Sequence, residues 1–186
     1  MKIVLLGFKK KYSKIYSFLK KKKFKVIELG QNKINLKIID KNDFILSFGY
    51  RKIIKNNIIK KLYRPIINLH ISYLPFNRGS YPNYWSFVDN TQSGVSIHEI
   101  DKGIDTRKII FKKKIKFKLD QYLTFKKAYK ILMNEVKLLF FRHHKSLINF
   151  SYKVKKQKKS GTFHSKKDLP NNFKSWNQNI KKYLKK

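Results

Sequence analysis

The sequence predicts an α/β domain in which helices flank a mainly parallel central sheet. Short apolar runs, suited to buried strands, alternate in the first part of the chain with segments whose apolar side chains recur at helical spacing. Strands that alternate with helices form parallel sheets, since each connecting helix covers a face of the sheet. With 186 residues, of which 41% are hydrophobic, the chain is long enough for one domain with a full core and a short appendage.

The first half of the chain supplies most of the predicted sheet. Residues 3–6 are continuously apolar, as in a strand that is covered on both faces. Ile15 and Leu19 are four residues apart and therefore lie on one face of the helix that follows. Strands are predicted at residues 3–8, 24–29, 43–48 and 65–69, and helices at residues 11–22 and 52–63.

The second half alternates less regularly. A short helix is predicted at residues 83–89 and a strand at residues 94–100. Residues 109–117 alternate apolar residues with lysine, which is typical of an edge strand. Residues 121–143 carry an amphipathic pattern long enough for a helix that packs across the sheet, and a final helix is predicted at residues 173–184.

The formal net charge of +36 raises the question of a polyanionic partner. Lysine-rich surfaces bind nucleic acids by releasing counterions from phosphates, so a basic nucleic-acid-binding module is one interpretation. The alternative is an AT-rich genome, because the dominant Lys, Ile, Asn, Phe and Tyr have AT-rich codons, whereas Ala occurs once. The aromatic residues fall mostly at core spacing, which disfavours a stacking platform for bases. In either case we expect weak, non-specific binding to polyanions.

Cysteine usage and hydropathy exclude several classes of protein. The absence of cysteine excludes disulfides, a thiolate nucleophile and cysteine-based zinc sites, and it fits a reducing compartment. No apolar run reaches the ~20 residues that a membrane span needs. The apolar start is followed by Phe8 and three lysines instead of a small-residue cleavage site, so no signal peptide is expected. We therefore expect a cytoplasmic protein without a metal site.

Polar side chains suited to catalysis occur between residues 68 and 105. Asn68 and His70 are two residues apart at the end of a predicted strand, so they point to the same face. In open α/β sheets, ligands bind at the carboxyl ends of the strands. An Asn-x-His pair alone is more often structural, but an irregular loop of about a dozen residues follows it, and long ordered loops are often functional. Asp105 supplies a carboxylate from a second loop.

The ordered motifs of this stretch carry a family resemblance. They are Asn68-x-His70, Ser72-x-Leu74-Pro75, Arg78-Gly79, Pro82, Trp85, Gly94-Val95-x-Ile97-His98 and Gly103-Ile104-Asp105-Thr106. In this order and spacing they resemble the catalytic core of the formyltransferases that use N10-formyltetrahydrofolate. That family includes enzymes that act on methionyl-tRNA, on glycinamide ribonucleotide and on nucleotide-linked amino sugars. The resemblance implies a Rossmann-like formyltransferase fold, with residues 1–150 as the catalytic domain and residues 151–186 as a basic C-terminal extension that packs on or near it.

The resemblance further implies that Asn68, His70 and Asp105 are the catalytic residues. Formyl transfer to an amine passes through a tetrahedral intermediate, whose developing oxyanion needs hydrogen-bond donors. Asn68 offers an amide N–H, and a protonated His70 offers a charged donor. Asp105 can hold the imidazole and take a proton from the attacking amine, directly or through water.

The resemblance places the folate donor beside the third strand and the loop after His70. The predicted donor-binding residues are Phe48, Gly49, Tyr50, Ile53, Ile54, Ser72, Leu74, Pro75 and Asp101. For Phe48, Ile53 and Ile54, plain core packing is the alternative. No metal is implied.

The acceptor is expected to contact Arg78, Gly79 and Trp85, again by resemblance. Arg107 departs from the family pattern, because a glycine or a small residue usually follows the Asp-Thr pair that here is Asp105-Thr106. Arg107 either distorts the loop of Asp105 or reaches a substrate phosphate or the glutamate tail of folate. We favour the second alternative and predict that Arg107 binds substrate.

The other histidines receive no catalytic role. His98 lies on a predicted strand and is interpreted as structural. His143 and His144 lie on the long helix without carboxylates at metal-ligand spacing. His164 is a candidate for the border of the substrate pocket.

Three features favour a nucleotide-linked amino sugar as the acceptor. The tRNA-specific members of the family carry an added C-terminal domain, for which few residues remain here. The purine-pathway member has a Gly/Ser-rich phosphate loop, where this chain has Gly7-Phe8-Lys9-Lys10-Lys11, and the spacer at residues 73–85 resembles that of the short sugar-specific members. The alternatives are methionyl-tRNA or glycinamide ribonucleotide as the acceptor, and hydrolysis of the donor by water. A homodimer is a further expectation.

Overall fold

The computed structural model describes residues 1–8, 14–157 and 160–185, which form a six-stranded sheet, a two-stranded sheet and flanking helices. In chain order the strands are β1 (Ile3–Gly7), β2 (Val26–Gly30), β3 (Phe44–Phe48), β4 (Ile67–His70), β5 (Arg78–Gly79), β6 (Gly94–Glu99), β7 (Ile109–Lys114) and β8 (Phe163–His164). The helices are α1 (Lys14–Lys21), α2 (Asn56–Ile59), α3 (Pro82–Val88), α4 (Phe125–Ile148) and α5 (Ile180–Leu184). Short 3-10 helices occur at Leu36–Ile38 and Lys166–Asp168.

Parallel pairing dominates the larger sheet, whose strand order is β2-β1-β3-β4-β6-β7. β1 pairs with both β2 and β3, and β3 pairs with β4, all in parallel. β6 enters antiparallel between β4 and β7. Gly7, Phe48 and His70 therefore end three neighbouring parallel strands at one edge of the sheet. This is the edge at which ligands bind in open α/β sheets.

Helix α4 covers one face of the larger sheet. Leu132, Val136 and Phe140 recur at helical spacing and are buried in the same cluster as the side chains of the inner strands. The helix begins after Thr124, whose side chain accepts a hydrogen bond from the Lys127 N–H and so satisfies one of the free donors of the first turn.

The core continues on the other face of the sheet and beneath α3. Val4, Leu6 and Ile45 alternate in sequence with the side chains that face α4, so they point to the opposite face, where Ile54 and Leu62 pack on them. A separate cluster joins α3, α4 and α5. Its buried members are Tyr84, Trp85, Phe87, Leu123, Phe125, Ala128 and Ile180.

The helix predicted at residues 52–63 is mostly wrong, because only Asn56–Ile59 are helical. No side chain caps the start of α2, so the free N–H groups of its first turn lack this stabilisation. The apolar residues whose spacing predicted one buried helical face lie in different environments. Ile54 packs on the core, whereas 78% of the surface of Ile53 is exposed.

The final helix, predicted at residues 173–184, is also shorter than expected and spans Ile180–Leu184. The Asn179 side chain accepts a hydrogen bond from the Lys182 N–H, which fixes the helix start at this point. Before it, the chain turns so that Phe173 packs against the aromatic cluster beneath α3. Capping and tertiary packing thus outweigh the helical spacing of the apolar residues.

The described part of the C-terminal segment packs on the rest of the chain. Lys155 exchanges two backbone hydrogen bonds of 2.8 Å with Ile109, and β8 pairs in parallel with β5. This small sheet was not predicted, because two strands of two residues each leave no periodicity to detect. The division of the chain at residue 150 stays a prediction.

The other elements lie within a few residues of their predicted bounds. α4 extends beyond the predicted end at residue 143, and β7 ends before residue 117. Residues 11–13, the start of the first predicted helix, lie outside the described residues. No helix in the described ranges is long and apolar enough to cross a membrane.

The packing of α4 against the sheet predicts unequal costs for two leucine truncations on the same helix. Leu132→Ala should lower the free energy of unfolding by about 2–5 kcal/mol, because Leu132 is 1% exposed and its removal leaves a cavity. Leu138→Ala is the matched control, and since Leu138 is 48% exposed we expect a change within about 0.5 kcal/mol. Urea denaturation followed by circular dichroism measures both. Equal losses would contradict the assigned orientation of α4.

Candidate active site

Three predicted residues meet at the carboxyl edge of the sheet. Asn68 and His70 project from the same face of β4. The loop after β6 brings Asp105 to them, so that its Oδ2 lies 3.6 Å from His70 Nε2 and its Oδ1 lies 3.4 Å from Asn68 Nδ2. The side chains of His70 and Asp105 are largely buried, which strengthens the attraction between them. An amide, an imidazole and a carboxylate therefore form one cluster, and their chemical roles stay predictions.

A fourth side chain, His98, belongs to the same cluster. Antiparallel pairing of β4 with β6 places it opposite Asn68. Its Nδ1 lies 2.7 Å from the Glu99 carbonyl oxygen and donates to it, since a carbonyl can only accept. Its Nε2 lies 3.2 Å from Asp105 Oδ1 and 3.1 Å from Asn68 Nδ2. The sequence interpretation of His98 as structural missed these contacts, which only the antiparallel register would have indicated.

The conformation of Asp105 depends on its neighbours. Its backbone has a φ of +54°, in the left-handed region that few side chains adopt. Its Oδ2 accepts a 3.0 Å hydrogen bond from the Gly79 N–H. Gly79 has a φ of +87°, and a Cβ at this position would collide with the His164 carbonyl oxygen, so only glycine fits. Gly79, predicted to bind substrate, thus holds the carboxylate through its backbone.

The cluster also determines the charge of its members. Burial alone would raise the pKa of Asp105. At the low pH where a carboxyl group takes up its proton, protonated His70 and His98, together with the Gly79 N–H, outweigh burial and hold that pKa well below its usual range. Burial lowers the pKa of His70 against the opposing charge of Asp105, and repulsion by His98 adds to the lowering. At neutral pH, Asp105 is therefore ionised and His70 is mainly neutral, although negative charge developing beside His70 would favour its protonated form.

The loop after β4 is held by its own hydrogen bonds. Ser96 Oγ donates to the Ser72 carbonyl oxygen at 2.7 Å and accepts from the Leu74 N–H at 3.1 Å. The Ser72 hydroxyl donates to the Phe76 carbonyl oxygen, and the peptide bond between Leu74 and Pro75 is cis. Because Ser72 and Leu74 are buried, they shape the loop from inside. That Ser72, Leu74 and Pro75 contact the folate donor stays a prediction.

A glutamine that was not predicted holds the turn after β3. The Gln31 side-chain amide donates to the Gly7 carbonyl at 3.2 Å and to the Gly49 carbonyl at 2.8 Å. The Tyr50 hydroxyl donates to the Asn32 carbonyl at 2.9 Å, and burial raises the pKa of Tyr50. Two of the predicted donor-binding residues thus lie in a turn whose backbone is fixed from the end of β2.

The apolar residues near this edge divide into buried and exposed ones. Phe48 is buried and packs edge-on against Phe8, with ring centroids 4.9 Å apart. Ile54 packs on the core, so packing accounts for both residues. Ile53 and Ile104, in two different loops, remain largely exposed. Exposed isoleucines that no core contact explains are available to the apolar ring of a ligand.

Asp101 shapes the start of the loop that carries Asp105. Its Oδ1 accepts hydrogen bonds from the Gly103 N–H at 3.0 Å and from the Thr106 hydroxyl at 2.9 Å. An open cavity of about 530 Å³ is lined by Asp101 and by residues of the 56–66 stretch. Its cationic lining residues are Lys60, Arg64, Lys102 and Arg107. The charge of this lining favours an anionic group.

The C-terminal segment contacts two of the predicted acceptor-binding residues. The Trp85 ring stacks on His164, with centroids 3.8 Å apart and 5° between the planes. His164 Nε2 lies 2.7 Å from Asp89 Oδ2, which orients the imidazole. Arg78 Nε donates to the Thr162 carbonyl oxygen at 3.4 Å. His164 therefore lies beside a predicted acceptor residue, although sequence alone gave it no partner.

The Arg107 side chain binds to residues at the end of β6, the strand that precedes its loop. Its Nε lies 3.0 Å from Glu99 Oε2, and one terminal nitrogen donates to the Ile100 carbonyl at 3.2 Å. Glu99 Oε1 in turn accepts from the Tyr152 hydroxyl at 3.1 Å. Asp105 reaches His70 with Arg107 in place, so Arg107 does not displace the carboxylate. Its role in substrate binding stays a prediction.

Comparison with known proteins assigns the chain to a family. A family model described as formyl transferase matches residues 6–138, a stretch that contains the whole cluster around Asp105. The chain belongs to the formyl transferase family. The match covers more than half of the sequence, and the predicted family is confirmed.

Several proteins are similar to this chain. The formyltransferase PseJ from Anoxybacillus kamchatkensis, solved with UDP-4,6-dideoxy-4-formamido-L-AltNAc and tetrahydrofolate, has a TM-score of 0.86 and 33% identity, over 99% of this chain and 97% of that one. The dTDP-4-amino-4,6-dideoxyglucose formyltransferase of Mycobacterium tuberculosis is 28% identical over 132 residues, which are 71% of this chain and 55% of that protein. The methionyl-tRNA formyltransferase of Finegoldia magna is 39% identical over 75 residues. The chain spans about half the length of the mycobacterial relative.

The architecture of the chain agrees with that of solved members of the family. The sheet and helices superpose on PseJ over nearly the whole of both chains, and a methionyl-tRNA formyltransferase from Clostridium thermocellum shares the fold with a TM-score of 0.63. The predicted α/β formyltransferase fold with a mainly parallel sheet is therefore confirmed.

The charge cluster predicts how His70 titrates when its carboxylate partner loses its charge. In Asp105→Asn the amide keeps the size of the side chain and tolerates the left-handed backbone. The pKa of His70 should fall below its wild-type value, because the Asp105 charge that opposes burial is gone. Imidazole NMR signals followed against pH measure this. Asp120→Asn, the same substitution at a carboxylate in the loop before α4, should leave the titration unchanged. A pKa of His70 that stays constant or rises in Asp105→Asn would contradict the assigned interaction.

Proposed function

We propose that this protein transfers the formyl group of N10-formyltetrahydrofolate to a primary amine on a nucleotide-linked amino sugar. The observation that carries the proposal is the ionised carboxylate of Asp105, held 3.6 Å from His70 and 3.4 Å from Asn68 at the edge of the sheet where ligands bind. A base, an imidazole and an amide N–H at one point meet the needs of acyl transfer to an amine.

The proposed roles follow from the charge and position of each group. Asn68 and His70 would donate hydrogen bonds to the formyl oxygen, whose negative charge grows as the amine attacks. A donor of this kind contributes about 10²–10³-fold to the rate. Asp105, ionised at neutral pH, would accept the proton that the amine loses, directly or through one water. The growing negative charge beside His70 would raise its pKa and so strengthen its donation when it is needed.

His98 would support this chemistry without touching the substrate. Its Nδ1 is committed to the Glu99 carbonyl, so its Nε2 faces Asp105 and Asn68. A second proton, on Nε2, would let it donate to the Asp105 carboxylate, keep that carboxylate ionised and fix its orientation towards His70. Without that proton, Nε2 would accept from Asn68 Nδ2. Because the neighbours of Asp105 disfavour its protonated form, the proton that it takes from the amine would pass on readily, to solvent or to the departing nitrogen of the folate.

The donor would lie between the turn after β3 and the loops that carry Asp105 and residues 72–75. Gly49 and Tyr50 would offer backbone to its ring, and the exposed Ile53 would cover an apolar face. Ser72, Leu74 and Pro75 would shape the wall, with Asp101 in the facing loop. The cationic cavity lining, which includes Arg107, would suit the carboxylates of the glutamate tail.

The names of similar proteins support a narrower chemical class for the acceptor sugar. PseJ was solved with a UDP-linked 4,6-dideoxy-4-formamido sugar, and the mycobacterial relative is named for a dTDP-linked 4-amino-4,6-dideoxy sugar. The two sugars share an amino or formamido group at C4 and the missing hydroxyl at C6, whereas the nucleotides differ. We therefore propose a nucleotide-linked 4-amino-4,6-dideoxy sugar as the acceptor. Arg78 and Trp85 would lie at its binding site, next to the Gly79 N–H that holds Asp105.

The other acceptors have less support. The support for methionyl-tRNA as the acceptor is a methionyl-tRNA formyltransferase of which this chain covers only 24%. If water were the acceptor, the same residues would hydrolyse the donor. Weak binding of the +36 chain to polyanions accompanies any of these activities and does not replace them. A cytoplasmic location and a homodimer are part of the proposal.

The proposal predicts amine-dependent formyl transfer that requires His70. With N10-formyltetrahydrofolate and UDP- or dTDP-linked 4-amino-4,6-dideoxy sugars, the wild-type protein should form the formamide, detected by mass spectrometry. His70→Ala should lower kcat at least 10²-fold because an oxyanion donor is lost. His144→Ala, on α4 and hydrogen-bonded to the Phe141 carbonyl, is the control and should keep its activity. Release of formate without any amine product would indicate a hydrolase, and no turnover at all would refute the proposal.

A role of Arg107 in substrate binding predicts a change in KM and not in kcat. Arg107→Gly should raise the KM of the donor or of the acceptor about tenfold, since a hydrogen bond to a charged group contributes about 1.5–3 kcal/mol. Arg107→Lys keeps the charge and should raise it less. An unchanged KM for both substrates in Arg107→Gly would remove Arg107 from the binding site and leave it only the ion pair with Glu99.

A further inference from the structure

A short stretch near the C terminus connects the two loops that form the catalytic cluster. We call the described residues 155–157 and 160–164 the strap. At one end, Lys155 is anchored to Ile109 at the start of β7 by two backbone hydrogen bonds. At the other end, Phe163 and His164 pair with Arg78 and Gly79 as β8 with β5. The strap therefore touches both the loop of Asp105 and the loop after β4.

Gln157 is the part of the strap that reaches the Asp105 loop. Its side-chain Nε2 lies 2.7 Å from the Asp105 carbonyl oxygen and 2.7 Å from the Arg107 carbonyl oxygen. A primary amide has two N–H donors on one nitrogen, so it can satisfy both carbonyls at once. The two carbonyls flank Thr106, and Asp105 itself has the unusual φ of +54°. Gln157 thus bonds to the backbone at the residue whose conformation aims the carboxylate.

The other end of the strap holds the partner loop in a similar way. Thr162 Oγ1 accepts from the Asn77 N–H at 2.7 Å and donates to Asn77 Oδ1 at 3.0 Å. The Asn77 carbonyl lies 3.5 Å from His70 Nε2, and two residues later the Gly79 N–H donates to the Asp105 carboxylate. One segment therefore fixes the backbone of Asp105 and the N–H that binds its side chain.

We propose that Gln157 is a positioning residue that sets the orientation of Asp105 towards His70. Since the reaction assigned to Asp105 is itself proposed, the catalytic consequence rests on that function, whereas the geometric consequence does not. Removal of the two donors would leave two carbonyls without partners and would release the loop from its left-handed turn. The carboxylate would then move away from His70. Misplacement of a catalytic group by about 1 Å costs on the order of 10²-fold in rate.

A change in the position of the Asp105 carboxylate would also change the pKa of His70, because the two groups interact through their charges. Asp105 is the group that favours the protonated form of His70 against burial. A displaced carboxylate would do this less well, so loss of Gln157 should shift the titration of His70 in the same direction as loss of the Asp105 charge. A residue that only stabilised the fold would lower stability without moving that titration.

The test compares Gln157→Leu with Gln178→Leu. Gln178 also donates its side-chain amide to a backbone carbonyl, that of Ser175, in the segment before α5. Gln157→Leu should lower kcat on the order of 10²-fold, with the KM of both substrates changed less than threefold, and should move the His70 titration to lower pH. Gln178→Leu should change neither. The combination of Gln157→Leu with Asp105→Asn should shift His70 no further than Asp105→Asn alone, because both act through one contact.

A second variant, Gln157→Glu, keeps the test decisive if Gln157→Leu destabilises the loop. Gln157→Glu preserves the shape of the side chain, but the ionised carboxylate has no donor and repels both carbonyls. Its activity relative to wild type should recover partly as the pH is lowered and the carboxyl regains one O–H donor. An unshifted His70 in both Gln157 variants would overturn the proposal. If the wild-type protein transfers no formyl group, the proposed function fails, while the NMR titrations of His70 still decide whether Gln157 positions Asp105.

Discussion

The ionised carboxylate of Asp105 is held in a buried position, and the rest of the site depends on what surrounds it. A carboxylate taken out of water without partners would bind a proton. Here His70, His98 and the Gly79 N–H lie within 3.0–3.6 Å of its oxygens and keep it charged. Each partner comes from a different strand, so the charge of one side chain requires the pairing of β4 with β6 and the placement of β5. Fold and chemistry are therefore coupled at this residue.

Most of the groups that shape the site are backbone groups. The Gly79 N–H binds the carboxylate, the Glu99 carbonyl accepts from His98 Nδ1, and the Asn77 carbonyl faces His70. Amide side chains then hold the loops: Gln31 bonds to the carbonyls of Gly7 and Gly49, and Gln157 to those of Asp105 and Arg107. Backbone donors and acceptors do not vary with composition. A chain dominated by lysine, isoleucine and asparagine can thus retain a site of this type.

Sequence patterns predicted the sheet and the three proposed catalytic residues for different physical reasons. The buried strands are continuous apolar runs, and α4 has an amphipathic period, so burial alone reveals them. Asn68 and His70 are adjacent on one strand face, which makes their proximity a local property. Asp105 lies 35 positions after His70, so the residues alone indicated only a carboxylate in a second loop, and the family resemblance grouped it with Asn68 and His70. Its contact with them depends on the long-range antiparallel register of β6.

What the sequence did not predict depends on contacts between distant segments. His98 joins the cluster only through its register with Asn68. Gln157 and Thr162 bond to loops more than 50 positions away, and β5 and β8 have two residues each, so neither leaves a periodic pattern. The helix predicted at residues 52–63 failed because isoleucines at helical spacing served two environments, one in the core and one exposed at Ile53. Hydrophobic periodicity identifies the buried face of a helix or strand, but it does not indicate which residues contact a ligand or a distant loop.

The net charge of +36 and the buried cluster around Asp105 act over different distances. Interactions between exposed charges are largely screened beyond about 8 Å at physiological ionic strength, whereas the contacts around Asp105 are shorter than 4 Å and largely buried. The lysine-rich surface therefore raises the local concentration of anions, and both a folate tail and a nucleotide diphosphate are anions. It does not decide which bond is made or broken. A genome-driven excess of lysine is for this reason compatible with a specific enzyme, since the excess would affect only encounter, whereas the proposed reaction takes place at the buried cluster.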